Sequence, residues 1–226
     1  MTRPARHPDP FRIVLTGGPG GGKTTAADLL RREIGDRIVV VPEAATMLFA
    51  GGFPRSDQPD ARRAVQRAIY EVQRNIEDVQ AALYPQRVLL CDRGTVDGAA
   101  YWPDDAGPDF FAAVRSTLDD ELARYDAVLF FETAAVGGQS IEGGNPTRVE
   151  SEAAAVALDA QLRSLWGQHP RFLFVPHADS FLGKLSLALG MLQGLIAGLD
   201  GAPPAPPPAG RGRPPVSPRP GGRARP

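Results

Sequence analysis

Residues 17–24 read GGPGGGKT, which satisfies G-x-x-x-x-G-K-[ST]. The segment sits between an apolar run at 11–16 (FRIVLT) and a stretch at 24–34 that places Ala26, Leu29, Leu30 and Ile34 on one helical stripe. Strand, glycine loop and helix in that order fix more about the fold than any other segment. Glycines let successive backbone N–H groups turn inward around anionic oxygens, and the helix N-terminus adds a favourable dipole. Lys23 is one of only two lysines among 25 basic residues, the other being Lys184. Its ammonium is placed to reach β- and γ-phosphates, and the Thr24 hydroxyl to ligate Mg²⁺. An ordinary glycine turn is the alternative reading.

The rest of the chain repeats the same alternation. Apolar runs at 37–41 (RIVVV), 87–91 (RVLLC), 127–131 (AVLFF) and 171–175 (RFLFV) read as buried strands. Between them, Val65, Ala68, Ile69, Val72, Ile76, Val79 and Leu83 recur at three- and four-residue steps, predicting a long amphipathic helix, and residues 110–125 and 151–167 read as further helices. This predicts an α/β fold of the P-loop NTPase class: a five-stranded parallel sheet between helices, kinase-like, with ligands at the carboxyl ends of the strands and a short lid.

Charge and composition narrow the partners. The formal total is −1, yet residues 201–226 carry five arginines and no carboxylate, so the first 200 residues hold −6. An acidic body without a basic patch argues against duplex nucleic acid. Residues 200–226 (Pro/Gly/Arg) are expected to be a disordered tail, residues 1–10 a flexible start, and 11–199 the folded domain. A single cysteine, Cys91, and no secretory signal fit the cytoplasm. Residues 181–199 are leucine-rich with Gly190, Gly194 and Gly198 spaced by four, but the uncharged run is only 15 residues, short of the roughly 20 that span a bilayer. A last helix packed on the sheet is expected.

Candidate chemistry gathers at the strand ends. Asp92 closes the third strand, where a carboxylate can hold Mg²⁺; a turn residue is the alternative. Arg93 beside it can meet a transferring phosphate or form a salt bridge. Glu43, after the second strand, can accept a hydroxyl proton, bind a ribose hydroxyl, or begin the next helix. Arg148, in the glycine-rich stretch 137–150, is either a lid cation or a solvated arginine. Arg63, Arg67 and Arg74 share a helix side with Glu71 and Asp78 four residues beyond the last two, the spacing of a solvated, salt-bridged face.

Taken together, TGGPGGGKTT at 16–25, VVVPEAA at 39–45, CDRGTVDGAAYW at 91–102, FETAA at 131–135 and NPTRVES at 145–151 resemble the NadR-like AAA domains, small P-loop proteins related in fold to nucleoside and nucleotide kinases. The segment 92–101 is also similar to the Asp-Arg to Ala-Tyr segment of thymidylate kinases. The resemblance implies that Gly17, Gly18, Gly20, Gly21, Gly22, Lys23, Thr24 and Thr25 hold the nucleotide, and that Thr95, Asp97 and Tyr101 join Glu43 and Arg93 around an acceptor. The expected cofactors are ATP, with GTP possible, and Mg²⁺ held by Thr24 and Asp92; without an N-K-x-D guanine signature the sequence does not decide adenine against guanine. The expected activity is phosphoryl transfer from ATP to a nucleoside, nucleotide or similar metabolite, with Lys23, Glu43, Asp92, Arg93 and Arg148 catalytic. A nucleotide-operated switch without an acceptor is the alternative.

Overall fold

The computed structural model describes residues 10–105, 107–137, 151–178 and 180–200. Five strands, β1 (Arg12–Thr16), β2 (Ile38–Val41), β3 (Val88–Asp92), β4 (Ala127–Phe131) and β5 (Phe172–Val175), form one sheet in the order β2-β3-β1-β4-β5. Every pairing is parallel. β1, β3 and β4 are apolar along nearly their whole length because both of their faces are covered, the pattern expected of central parallel strands.

Among the described residues, eight α-helices follow in chain order: α1 (Lys23–Ile34), α2 (Ala44–Ala50), α3 (Pro59–Leu83), α4 (Asp97–Ala100), α5 (Phe110–Ala113), α6 (Leu118–Leu122), α7 (Glu152–Trp166) and α8 (Phe181–Asp200). On one face of the sheet, Ala26, Ala27 and Leu30 of α1 and Ala188, Leu192 and Ile196 of α8 pack on Ile13, Leu15, Leu90 and Leu129. On the other, Leu162 and Trp166 of α7 and Leu122 of α6 pack on Val14, Leu89, Cys91 and Phe130. Alternating side chains of each strand thus feed two separate cores.

Three expectations need correction. The predicted helix 110–125 is broken: Arg115 takes a left-handed φ of 57°, and the Thr117 hydroxyl then caps a new helix by accepting the Asp120 N–H. The buried face of α3 carries Tyr70, Gln73 and Glu77, while Val79 and Leu83 of the predicted stripe are exposed, so this helix turns a polar row toward the sheet. Its arginines also do not form the expected i,i+4 pairs. Asp78 meets Arg12 at 3.2 Å and Arg124 at 3.8 Å, and Arg74 donates to the Tyr70 hydroxyl at 2.8 Å.

α8 packs on α1 and β5, with the buried Lys184 donating to the Glu132 carbonyl at 2.6 Å. By length and composition alone, its 19 residues from Phe181 to Leu199 are apolar enough to cross a membrane. The predicted lid with Arg148, the N-terminal segment and the arginine-bearing tail lie outside the described residues.

Candidate functional site

The glycine loop leaves β1 and closes over the end of β4. Gly17 has a φ of 127°, and a Cβ there would sit 2.0 Å from the Phe131 carbonyl oxygen, so only glycine fits. Gly22, the residue before α1, takes a φ of 79°, and the Phe181 ring of α8 occupies the space a side chain would need. The loop is braced from α7: Asp159 Oδ1 accepts the N–H of Gly18 at 2.7 Å and that of Thr133 at 3.0 Å, and the Thr133 hydroxyl donates to the Pro19 carbonyl.

Lys23 opens α1 and is 5% exposed, its ammonium donating to the Gly18 carbonyl at 2.6 Å. Burial, reinforced by the positive charge of Arg93, holds its pKa down at about 7, against the opposing pull of Asp92, Asp97 and Glu43. Thr24 and Thr25 are exposed toward the cleft. The Thr24 hydroxyl donates to Asp92 Oδ2 at 2.7 Å. Asp92 Oδ1 is buried and has no hydrogen-bond partner among the described residues. A buried carboxylate oxygen left unpaired beside a hydroxyl is the donor set that a hard, oxygen-seeking cation requires, so these two residues fit Mg²⁺. Burial, with the negative charge of Glu43, raises the Asp92 pKa above the ordinary carboxylate value.

Arg93 is the hinge of the site. It follows β3 in a left-handed conformation, φ 77°, which a non-glycine residue adopts only when its surroundings enforce it. The N–H donates to the Leu15 carbonyl at 3.0 Å. One guanidinium nitrogen reaches the Gly17 carbonyl at 2.7 Å and Asp97 Oδ2 at 3.2 Å, while Nε lies 3.4 Å from Glu43 Oε1. Glu43 is the N-cap residue of α2, so it begins that helix as one sequence reading expected, and from there it faces Arg93. Its other oxygen accepts the Thr46 hydroxyl at 2.6 Å. Burial raises the Glu43 pKa, but Arg93, Thr46 and Lys23 outweigh burial and hold the carboxyl below its usual value.

Three further candidates surround this group. Asp97 is buried, and its Oδ1 accepts from the Thr16 hydroxyl at 2.8 Å and the Trp166 indole N–H at 2.6 Å. Burial lifts its pKa in spite of Arg93. Thr95 is 2% exposed, with its backbone N–H donating to the Tyr125 hydroxyl at 2.8 Å. Tyr101 lies at the end of α4, its carbonyl accepting from Arg62 at 2.9 Å. A cleft of about 1190 Å³ runs from the glycine loop past Glu43 and Arg93 to a wall of Phe49, Gln66, Tyr70 and Tyr101. Its size suits a drug-sized or nucleotide-sized guest.

Sequence reasoning missed Thr16, Gln73, Asp159 and Trp166. Gln73 and Asp159 sit on helical faces, and only a polar residue interrupting an apolar stripe marks them in the sequence. Arg148 lies outside the described residues.

Known proteins of similar shape were found at low identity. A deoxyadenosine kinase from M. mycoides with bound dATP superposes with a TM-score of 0.59 at 14% identity, over 81% of this chain and 99% of that one. The same kinase with products dCMP and a flexible dCDP bound gives 0.55 at 13% identity, over 81% and 100%. No curated protein matches by sequence. At such identities the likeness concerns the fold, which is that of a P-loop kinase. The sequence profile of the AAA domain family matches residues 12–179, spanning the glycine loop, all five strands and both residues of the Asp92–Arg93 pair, and the chain therefore belongs to that family.

Proposed function

We propose that the protein is a cytoplasmic, Mg²⁺-dependent phosphotransferase that moves the γ-phosphoryl group of ATP to a hydroxyl of a nucleoside, nucleotide or similar small metabolite. The observation that carries this reading is the Glu43–Arg93 pair, 3.4 Å apart, placed along a single cleft that extends from the phosphate loop past the pair to Gln66, Tyr70 and Tyr101. A switch that only senses nucleotide needs neither the carboxylate nor the far end of the cleft.

Each residue then has a task. The loop glycines and Lys23 bind phosphate oxygens, with Thr25 at the edge of the same cleft. Thr24 and Asp92 hold Mg²⁺, which when bound neutralises charge on the phosphates. Arg93 is aimed at the group in transit, since its guanidinium already bridges the loop carbonyl and Glu43. Glu43, kept ionised by Arg93, takes the proton of the acceptor hydroxyl. Tyr101 borders the acceptor, and Thr95 and Asp97 border it from below, the last through its hold on Arg93. Arg148 is assigned the lid cation.

The test separates metal from base. Asp92→Asn is expected to depress every Mg²⁺-dependent reaction, including slow hydrolysis of ATP by water. Glu43→Gln is expected to leave Mg·ATP affinity near wild type and to lower only acceptor-dependent transfer, by roughly 10²- to 10⁴-fold. The assay is product formation from Mg²⁺ and ATP or GTP against a metabolite library. Equal losses in both variants, or no acceptor at all, would refute the kinase reading.

A further inference from the structure

The buried amide of Gln73 spans the two strand ends that carry Glu43 and Arg93. Gln73 is 2% exposed. Its Oε1 accepts the N–H of Ala44, the residue after Glu43, at 3.3 Å. Its Nε2 donates to the Arg93 carbonyl at 3.3 Å and to Glu77 Oε1 at 3.0 Å. The orientation of the amide follows from its neighbours. Glu77 is fully buried and accepts from Arg124 at 2.9 Å and from the Tyr125 hydroxyl at 2.8 Å, so it presents an acceptor to Gln73. The Arg93 carbonyl also accepts only, so the NH₂ group must face both, and the oxygen is left for Ala44.

Each bond meets a specific need. Glu43 does not cap α2 with its side chain, so the first N–H groups of that helix lack an intrahelical acceptor, and Gln73 supplies one. Arg93 holds a strained left-handed backbone whose N–H is fixed by Leu15 and whose carbonyl is fixed by Gln73. The guanidinium of that same residue meets Gly17, Asp97 and Glu43, so the backbone bond to Gln73 sets where the arginine side chain starts. Glu77 reaches the same stretch by a second arm, because the Tyr125 hydroxyl it binds takes the Thr95 N–H.

We propose that Gln73, oriented by Glu77, is a positioning residue that holds the carboxylate at the start of α2 and the arginine after β3 in one arrangement for phosphoryl transfer. This rests on the kinase reading only for its kinetic consequence; the clamp itself has an independent readout. Gln73→Met fills similar space without polar atoms. Amide exchange at Ala44 is expected to rise at least about tenfold. The kcat for transfer is expected to fall by roughly 10- to 100-fold while the Kd for Mg·ATP stays within about threefold, as misplacement of reacting groups predicts. Gln73→Glu covers the case in which the methionine variant does not fold. It keeps an oxygen for Ala44 but, in place of the NH₂ group that donates to both the Arg93 carbonyl and Glu77, has at most one O–H, so Ala44 is expected to stay protected while kcat still falls.

Unchanged exchange at Ala44 in Gln73→Met overturns the proposal, as does an unchanged kcat in a folded variant or a parallel loss of kcat and ATP affinity. Absence of transfer by the wild-type protein removes the kinase reading instead, and amide exchange then decides the clamp by itself.

Discussion

Replacing Asp159 by alanine is the sharpest test of how the phosphate loop is held. A single carboxylate oxygen on α7 accepts both the Gly18 N–H and the Thr133 N–H. The residue is 4% exposed, so neither donor gains ready access to water when the side chain is cut back. An orphaned buried donor costs about 1–3 kcal/mol, which puts the loss for two at roughly 2–6 kcal/mol, a large share of the ~5–15 kcal/mol typical of a domain. For a chain of this size each kcal/mol lowers Tm by about 2–4 °C, so a fall of roughly 4–24 °C is expected in calorimetry. Asp159→Asn retains an acceptor oxygen and loses only the charge assistance, and is expected to cost about 1 kcal/mol. Titration calorimetry with Mg·ATP provides the second readout, since Asp159→Ala frees the loop and is expected to weaken binding about tenfold or more. An alanine variant within 1 kcal/mol of wild type would refute the reasoning. So would an asparagine variant as damaged as the alanine one, because the acceptor oxygen would then not be what holds the loop.

Three further outcomes follow from buried groups. Lys23, held down at about 7 by burial and by Arg93, is largely neutral in the free protein at pH 8, so binding ATP as the ammonium is expected to take up as much as about one proton, read from calorimetry in buffers of different ionisation enthalpy and absent in Lys23→Met. The sign for stability is the reverse of a salt-bridged lysine: between about 7 and 10.5 the unfolded chain binds more protons than the folded one, so the contribution of this group rises with pH. Trp166→Phe keeps an aromatic ring against Tyr125 but removes the indole donor to Asp97, and is expected to cost about 1–3 kcal/mol in denaturant unfolding. Stability equal to wild type would show that Asp97 does not depend on that bond.

Much of the fold could be read from the sequence because central parallel strands are covered on both faces and leave short continuous apolar runs. β4 is the clearest case, with all five residues from Ala127 to Phe131 fully buried. The helices were harder. The pattern of α3 suggested an apolar stripe, yet the buried row is Tyr70, Gln73 and Glu77, whose polar atoms are satisfied by Ala44 at the start of α2, Arg93 just after β3, Glu121 of α6, and Arg124 and Tyr125 just after it, residues that no local window contains. The break between α5 and α6 depends on one left-handed residue, Arg115, which carries no glycine or proline to announce it.

The site divides along the same line. Residues that follow a strand end, Glu43, Asp92 and Arg93, and Lys23, which the glycine-loop pattern marks at the start of α1, were legible because a strand followed by a turn places them at the ligand edge. Residues arriving from helices, Asp159 and Gln73, were not, since the first lies 141 positions from its partner Gly18. Asp97 stands between the two groups. Its neighbourhood in sequence marked it as an acceptor contact, and it does border the cleft. Both of its oxygens, however, already accept within the protein: one takes Thr16 and Trp166, the other Arg93. A carboxylate so committed has little left to offer an acceptor directly. Its reach into the chemistry passes through the guanidinium it shares with Glu43, so Thr16, Trp166, Asp97, Gln73 and Glu77 act together on one strained arginine.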